Sequence, residues 1–414
     1  MQIAQATEFE NHSGHRRHIC IVTETFPPEV NGVALTLARL IEGLRLQGHR
    51  VSLVRPRQHR RDCADLNYDP RLTLVSSLPL PGYKGLRIGL PAGETLKRRW
   101  TQHRPEVVYI ATEGPLGWSA KRAAQCLAIP VFSGFHTNFH SYSKHYHAGW
   151  LRFVILAYLR RFHRRTAGTI VASSELGEQL RAMGLTNVNV LGRGVDSRLF
   201  TLERRSRALR RMWRAGPNDL VVLYVGRIAA EKNVRLAVEA YRAMQRVNSA
   251  IRFVIVGDGP LRSALQKKHP DLIFCGVQMG EDLAKRYASA DVFLFPSETE
   301  TFGNVTLEAM ASGLAVIAYD YAAARLHIAH GRSGVLVPYG QSQAFIESAA
   351  QLVSQPQDLV EMRRDARRHA TSLDWQRVVN RFAALLTGEV NQDPVTAIGD
   401  AVDVLRPGLS VGEI

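Results

Sequence analysis

The stretch "DLVVLYVGRIAAEKNVRLAVEAYRAM", residues 219–244, decides the fold. It reads as strand, loop, helix, and so restarts a pattern already present at the head of the chain. There, "HICIVTETFPPEVNGVALTLARLIEGLRLQGHRVSLVRP", residues 18–56, reads as strand, loop, amphipathic helix, strand. Its apolar run Ile19–Val22 is short and continuous, as in a parallel strand covered on both faces. Further short apolar runs follow each opening, with helical stretches between them. The first half has "EVVYIA" (106–111), "IPVFSGFH" (129–136) and "GTIVASS" (168–174). The second has "IRFVIVGDGP" (251–260), "DLIFCG" (271–276), "ADVFLFPS" (290–297), "LAVIAYD" (314–320) and "GVLVP" (334–338). The expected fold class is α/β, with two Rossmann-like domains, 18–196 and 197–373, joined near Asp196–Phe200. A polar leader (1–17) and a polar tail (389–414) are expected to be disordered. A helix from Asp374 to Leu386 is expected to return to the first domain. Ligands of such sheets bind outside the carboxyl ends of the strands, which predicts a site in a cleft between the domains.

Composition narrows the function classes. A hydrophobic fraction of 45% with 22% charged residues is that of a folded protein, and 414 residues suggest two domains. Cys20, Cys63, Cys126 and Cys275 lack C-x-x-C spacing, so neither structural zinc nor a disulfide framework is expected, and a reducing cytoplasm is the default. The start of the chain shows no apolar signal-peptide core, and no apolar run approaches the roughly 20 residues of a membrane span. Charge is uneven. Residues 1–200 hold 27 Lys+Arg against 14 Asp+Glu, or +13, while the remainder holds 26 against 23, or +3. The basic half suggests an anionic partner, against a solvated basic face with no specific partner. Neither opening βα turn carries G-x-G-x-x-G, which argues against a nicotinamide oxidoreductase.

Three groups of residues carry candidate chemistry. Arg227 and Lys232 in "YVGRIAAEKN" follow a strand end and precede a helix, where two cations and free N–H donors make a diphosphate clamp. The alternative is an exposed basic loop with Lys232 paired to a neighbouring carboxylate. Asn31-Gly32 in "FPPEVNGVA" allows a sharp turn that brings backbone N–H groups close to a ligand, or is a plain strand-to-helix turn. His136 ends a strand in "FSGFHTNFHSYSKHYH". With His140, His145 and His147 it raises a metal hypothesis, but no cysteine is near and no acidic residue occurs from 114 to 174. A strand-end histidine that hydrogen-bonds a sugar or phosphate fits better.

Glu300 and Glu308, in "SETETFGNVTLEAMASG" (297–313), are separated by seven residues. As a glycosidase pair their carboxyls would lie about 5–5.5 Å or roughly 6.5–9.5 Å apart. Continuous helix over that interval would span ~12 Å, and Phe302-Gly303 interrupts it. The helix is expected to start near Asn304, as N-cap, and to end at Gly313. Glu300 then sits on the loop and Glu308 about one turn inside. Two acceptors along an elongated, hydroxyl-rich ligand fit this arrangement better than a hydrolytic pair, and the N–H groups between them suit a phosphate.

Taken in order, "FPPEVNGVA", "GFHTNF", "VGRIAAEKN", "VIVGDGP" and "SETETFGNVTLEAMASG" resemble retaining GT-B glycosyltransferases of the glycosyltransferase family 4 (group 1) type, over about residues 18–387. The likeness extends to bacterial GDP-mannose-dependent α-mannosyltransferases and diacylglycerol glycosyltransferases. The resemblance implies that Glu308 binds the ribose of a GDP- or UDP-hexose and that Glu300, as a catalytic-site residue, holds the hexose hydroxyls. Backbone groups of Thr301, Phe302, Gly303, Asn304 and Val305 would lie along sugar and phosphate. Arg227, Lys232 and the Gly32 amide would meet the diphosphate, and His136 the sugar. It implies no metal and no organic cofactor, and no D-x-D sequence occurs in the chain. Two departures stand out. Where many relatives carry a Gly-Gly-x-Pro-Glu loop, this chain has "DYAAARLHIAHGRSG" from Asp320, and "GLAVIA" lacks the usual proline.

For the acceptor, "WLRFVILAYLRRFHRR" (150–165) combines large apolar residues with Arg152, Arg160, Arg161, His163, Arg164 and Arg165. That composition suits a helix in an anionic membrane interface, or a core-packed helix with a solvated basic end. The expected function is metal-independent hexosyl transfer to a lipid acceptor at the cytoplasmic membrane face. The alternatives are a GT-B enzyme acting on a soluble sugar or polysaccharide and, more remotely, a basic nucleic-acid binder. Nothing in the sequence fixes the oligomeric state.

Overall fold

The computed structural model describes residues 16–29, 31–58, 62, 71–79, 87–136, 149–300 and 302–389; in the helix Gly149–His163, side chains are described from Val154. The histidines at 140, 145 and 147, Thr301, the leader up to residue 15 and the tail from 390 lie outside these residues.

Two parallel sheets carry the fold. Strands of the first are β1 (His18–Val22), β2 (Arg50–Pro56), β3 (Leu72–Val75), β6 (Val107–Ile110), β7 (Val131–Phe135), β8 (Gly168–Val171) and β9 (Val188–Val190), in the order β3-β2-β1-β6-β7-β8-β9. The short strands β4 (Ser77–Pro79) and β5 (Arg87–Gly89) form an antiparallel ribbon. The second sheet joins β10 (Val221–Val225), β11 (Arg252–Val256), β12 (Ile273–Phe274), β13 (Val292–Phe295), β14 (Ala315–Tyr319) and β15 (Gly334–Val337), in the order β12-β11-β10-β13-β14-β15. Asp196–Phe200 separates the strands of the two sheets along the chain. Compactness divides it earlier, within β7, into Met1–Glu29 with Leu37–Phe132, and Val30–Thr36 with Ser133–Ile414.

The second sheet shows why its strands read as unbroken apolar runs. Val221, Leu223 and Val225 pack on one face with Phe293, Phe295 and Val316. Val222 and Tyr224 pack on the other with Phe253, Ile255, Leu294 and Ile317. Alternate side chains of a strand point to opposite faces, so a sheet covered twice needs apolar residues at every position. Each fully buried Val or Leu contributes about 1.5–3 kcal/mol of transfer free energy.

Strand order also places the functional loops. β10 lies between β11 and β13, so connections leave it in opposite directions and open a crevice at the carboxyl ends of β10 and β13. The loop after β10 is held by its neighbour after β11, through Ile228 N–H to Asp258 O (2.9 Å) and Gly226 N–H to Val256 O (3.0 Å). Gly257, at φ +134°, permits this approach, since a Cβ there would stand 1.9 Å from Gly226 O. The root of β13 is fixed by Asp291, 3% exposed, which receives Arg205 (2.9 Å), Arg210 (3.1 Å) and Arg363 (3.0 Å).

Candidate active site

The loop after β10 runs through Arg227 into a short 3₁₀ turn, Ala230–Lys232, and Asn233 in the left-handed region (φ +50°) then starts the helix Val234–Val247. Lys232 Nζ donates to Glu300 Oε1 at 2.5 Å and to Thr299 O at 2.7 Å. The lysine is thus paired to a carboxylate, as the second reading of it expects, and that carboxylate is the first of the two glutamates. Glu300 is 15% exposed and Lys232 20%, so their attraction is only partly screened by water. Ser297 Oγ donates to the same Glu300 oxygen at 2.8 Å. Glu298 N–H to Glu231 O (3.1 Å) and Asn233 Nδ2 to Glu298 Oε1 (3.4 Å) join the two loops further. Arg227 is the more open cation. Its side chain is half-exposed and meets Glu231 at 3.4 Å, while its carbonyl is held by Tyr224 Oη at 3.0 Å.

Beyond Glu300 the chain turns at Phe302-Gly303 into the helix Asn304–Ala311. The N-cap is Gly303, not Asn304 as the sequence suggests, and no side chain caps this end. The physical reason is the φ of +94° at Gly303, which glycine adopts freely and which puts Asn304 already in the first turn. Gly303→Ala is expected to cost about 1–2 kcal/mol of stability, measurable by urea unfolding followed through tryptophan fluorescence. Glu308 lies one turn inside, half-buried. Tyr287 Oη donates to its Oε2 at 3.0 Å, and burial pushes the Glu308 carboxyl up to about 7 although that hydrogen bond pulls the other way.

His136 directly follows β7, as expected, beside Arg193, whose guanidinium lies 3.5 Å from Nδ1. Burial, then the charges of Arg193 and His163, lower its pKa to about 3. The imidazole is neutral across the physiological range, so its chemistry is hydrogen bonding, not charge. Gly32 begins the helix Gly32–Leu46, and a Cβ there would sit 3.8 Å from Asn304 Nδ2. Gly32 is thus close to the turn that follows Glu300. Among the described residues, no group of three or more His, Cys, Asp or Glu is placed to hold a metal ion.

Comparison with known proteins identifies the family. The family described as "Glycosyltransferase Family 4" matches residues 30–199, and "Glycosyl transferases group 1" matches 219–355. A GDP-mannose-dependent alpha-mannosyltransferase of Mycobacterium tuberculosis (strain CDC 1551 / Oshkosh) is 35% identical over 343 residues, 82% of this chain and 89% of the relative. The chain belongs to this glycosyltransferase family. It is a glycosyltransferase using a nucleotide sugar, of the hexosyl-transferring kind. An alpha-monoglucosyldiacylglycerol synthase of Streptococcus pneumoniae (strain ATCC BAA-255 / R6) is 26% identical, covering 73% of this chain and 70% of the relative. The crystal structure of Anabaena Alr3699/HepE in complex with UDP superposes with a TM-score of 0.71 at 18% identity, over 90% of this chain and all of that one. The glycosyltransferase has the GT-B fold.

Several residues escaped the sequence reading. Arg193, 6% exposed, is flanked by glycines in "GRGVD", and a buried arginine in such a turn was the available signal. Tyr287 gave none, since it reads as one more apolar position of the helix Gly280–Ser289. Glu24 follows β1, where the first sheet changes direction. It accepts from Leu116 N–H (3.2 Å) at the start of the helix Pro115–Cys126, and burial pushes its carboxyl up to about 7. The basic helix Gly149–His163 is packed on one side and exposed at its basic end, as the core-packed reading expects. Leu159 and Phe162 are buried, Leu159 against Val171 and Leu180. Val154, Tyr158 and Arg161 are exposed along the helix, and Arg165 is exposed in the turn that follows it. No described helix is long and apolar enough to cross a membrane.

Proposed function

We propose that this enzyme transfers a hexose from a GDP- or UDP-hexose, with retention of configuration and without a metal, to a lipid acceptor at the cytoplasmic face of an anionic membrane. The observation that carries the donor half is the 2.5 Å contact between Lys232 and Glu300, which joins a phosphate cation to a hydroxyl-binding carboxylate. Glu308 takes the ribose hydroxyls, Glu300 the hexose hydroxyls, and Lys232, Arg227 and the Gly32 amide the diphosphate. The N–H groups of Asn304 and Val305, at a helix start with no side-chain cap, suit a phosphate oxygen. As the bond from C1 to the β-phosphate oxygen breaks, charge grows on that oxygen, where fixed cations are most effective. The acceptor hydroxyl attacks C1 on the same face and gives its proton to the departing diphosphate. His136, neutral, supports the sugar by hydrogen bonding.

The acceptor half is supported by a relative named as an alpha-monoglucosyldiacylglycerol synthase and by the exposed Val154, Tyr158 and Arg161, with Arg165 exposed just after the helix. Unpaired Cys20, Cys126 and Cys275 suit a reducing compartment. The test is incubation with GDP- and UDP-linked mannose and glucose, labelled in the hexose, with membrane lipid and excess chelator. Label should move to the organic phase. Label found only in water-soluble products overturns the lipid acceptor, and full dependence on Mg²⁺ overturns the clamp. Arg161→Gln is expected to weaken binding to phosphatidylglycerol vesicles by about 1 kcal/mol, roughly fivefold, at low salt. Co-sedimentation reads this directly.

A further inference from the structure

The segment that departs from the family pattern, Asp320–Ala324, touches the donor loop at two points. Tyr321 Oη donates to Ser297 O at 2.8 Å, and Ala323 N–H donates to Phe302 O at 2.7 Å. Tyr339, from the connection after β15, adds a third bond, Oη to Glu298 O at 3.0 Å. The rings support one another. Tyr321 stands edge-on to Tyr339 at 5.2 Å, Tyr339 lies 5.6 Å from Tyr319, and Tyr319 meets the buried Phe345 at 5.5 Å. A file of four aromatic rings therefore runs from the core of the second sheet to the carbonyls of Ser297 and Glu298. Ser297 is the residue whose hydroxyl also holds Glu300 Oε1. Burial pushes the Tyr321 hydroxyl far above its ordinary value, so it stays protonated and donating at any working pH. The cavity bounded by Tyr321, Glu300, Phe302 and Ala322–Ala324 is about 10 Å³, room for one water at most.

We infer that Tyr321 is a positioning residue for the transfer: through Ser297 it fixes the orientation of Glu300, and so helps decide which hexose is accepted. This rests on the donor assignment proposed above. Tyr321 acts on the hexose end alone, because Glu308, at the ribose end, is held separately by Tyr287.

The test uses the full chain and two conservative variants. In Tyr321→Phe the ring is kept and only the donor is lost. The expected result is a fall of about tenfold in kcat/KM for the nucleotide hexose, carried mostly by kcat. Affinity for the free nucleoside diphosphate, by calorimetry, should stay within twofold. The preference between glucose and mannose donors on the same nucleotide should shift by about threefold or more. Tyr339→Phe, which removes the bond to Glu298 O and leaves Ser297 held, should give a smaller loss in the same direction. Unchanged kcat/KM and unchanged preference in Tyr321→Phe would overturn the inference. So would an equal loss of nucleoside diphosphate affinity, which marks general loosening. A wild-type chain that transfers from no nucleotide hexose defeats the donor assignment and this inference together, an outcome distinct from an active enzyme indifferent to Tyr321.

Discussion

Lys232→Ala should lower turnover about 10²–10³-fold while leaving the protein folded, the loss seen when one preorganised charge is removed from a developing oxyanion. In the free enzyme, Lys232 donates to Glu300 and to the Thr299 carbonyl. Removing the ammonium thus takes the paired charge from a carboxylate that is 15% exposed and that Ser297 also contacts. A charge-assisted bond of this kind contributes about 1.5–3 kcal/mol, less than the stability of an ordinary domain, so a folded variant is expected. On the proposed donor assignment, two effects then add in the reaction: the β-phosphate loses its cation, and Glu300 loses the contact that aims it. Because one residue does both, Lys232→Ala and Glu300→Gln should not be additive. The double variant should be little slower than the worse single one. Circular dichroism establishes folding and single-turnover transfer gives the rate. A folded Lys232→Ala protein within threefold of the wild type would remove the clamp from the mechanism.

The same pair shows how much was legible in the sequence. Strands such as Val221–Val225 announce themselves because burial on both faces demands an unbroken apolar run, a local property. The loops that bear chemistry are legible for a related reason: they follow strand ends, and strand order at β10 and β13 makes those ends converge. What a local pattern does not carry is pairing across the chain. Lys232 and Glu300 are sixty-eight residues apart, and the lysine's partner was foreseen only as some nearby carboxylate. Tyr287 was invisible because its hydroxyl leaves an otherwise apolar helix face to reach Glu308. The helix start near Asn304 was legible, but its cap was misplaced by one residue because Asn304 is a good cap by type, whereas the backbone sign at Gly303 decides. Tyr321 was noted only as part of an unusual loop. Its function depends on Ser297, Tyr339 and Phe345, which three separate elements bring alongside.

Glu308 yields the second large effect, and one with a pH signature. A carboxylate can accept from both ribose hydroxyls, whereas the protonated acid loses acceptor capacity. The Glu308 carboxyl titrates near 7 in the free enzyme, so nucleoside diphosphate affinity should rise with pH through that value and level off above it. Below pH 7 the fall should approach tenfold per pH unit if only the ionised form binds. Glu308→Gln should weaken binding by roughly 10–10²-fold, the cost of a hydrogen bond to a charged group, and flatten the profile. Tyr287→Phe should move the midpoint upward, since the tyrosine hydroxyl is what opposes burial. Stability changes in the opposite sense. The folded chain keeps a proton that the unfolded chain releases near 4.5, so this contribution is present below pH 4.5 and is lost as pH rises through about 7. Glu24 behaves alike in the same window, so a melting curve alone does not separate the two. Calorimetric titration of the nucleoside diphosphate from pH 6 to 8.5, on wild type and Glu308→Gln, does separate them. A flat wild-type profile, or two superimposable ones, would remove Glu308 from the ribose. A rising profile that the glutamine flattens would place the ionised carboxylate there, with the donor binding most tightly where the unliganded fold has given up that proton.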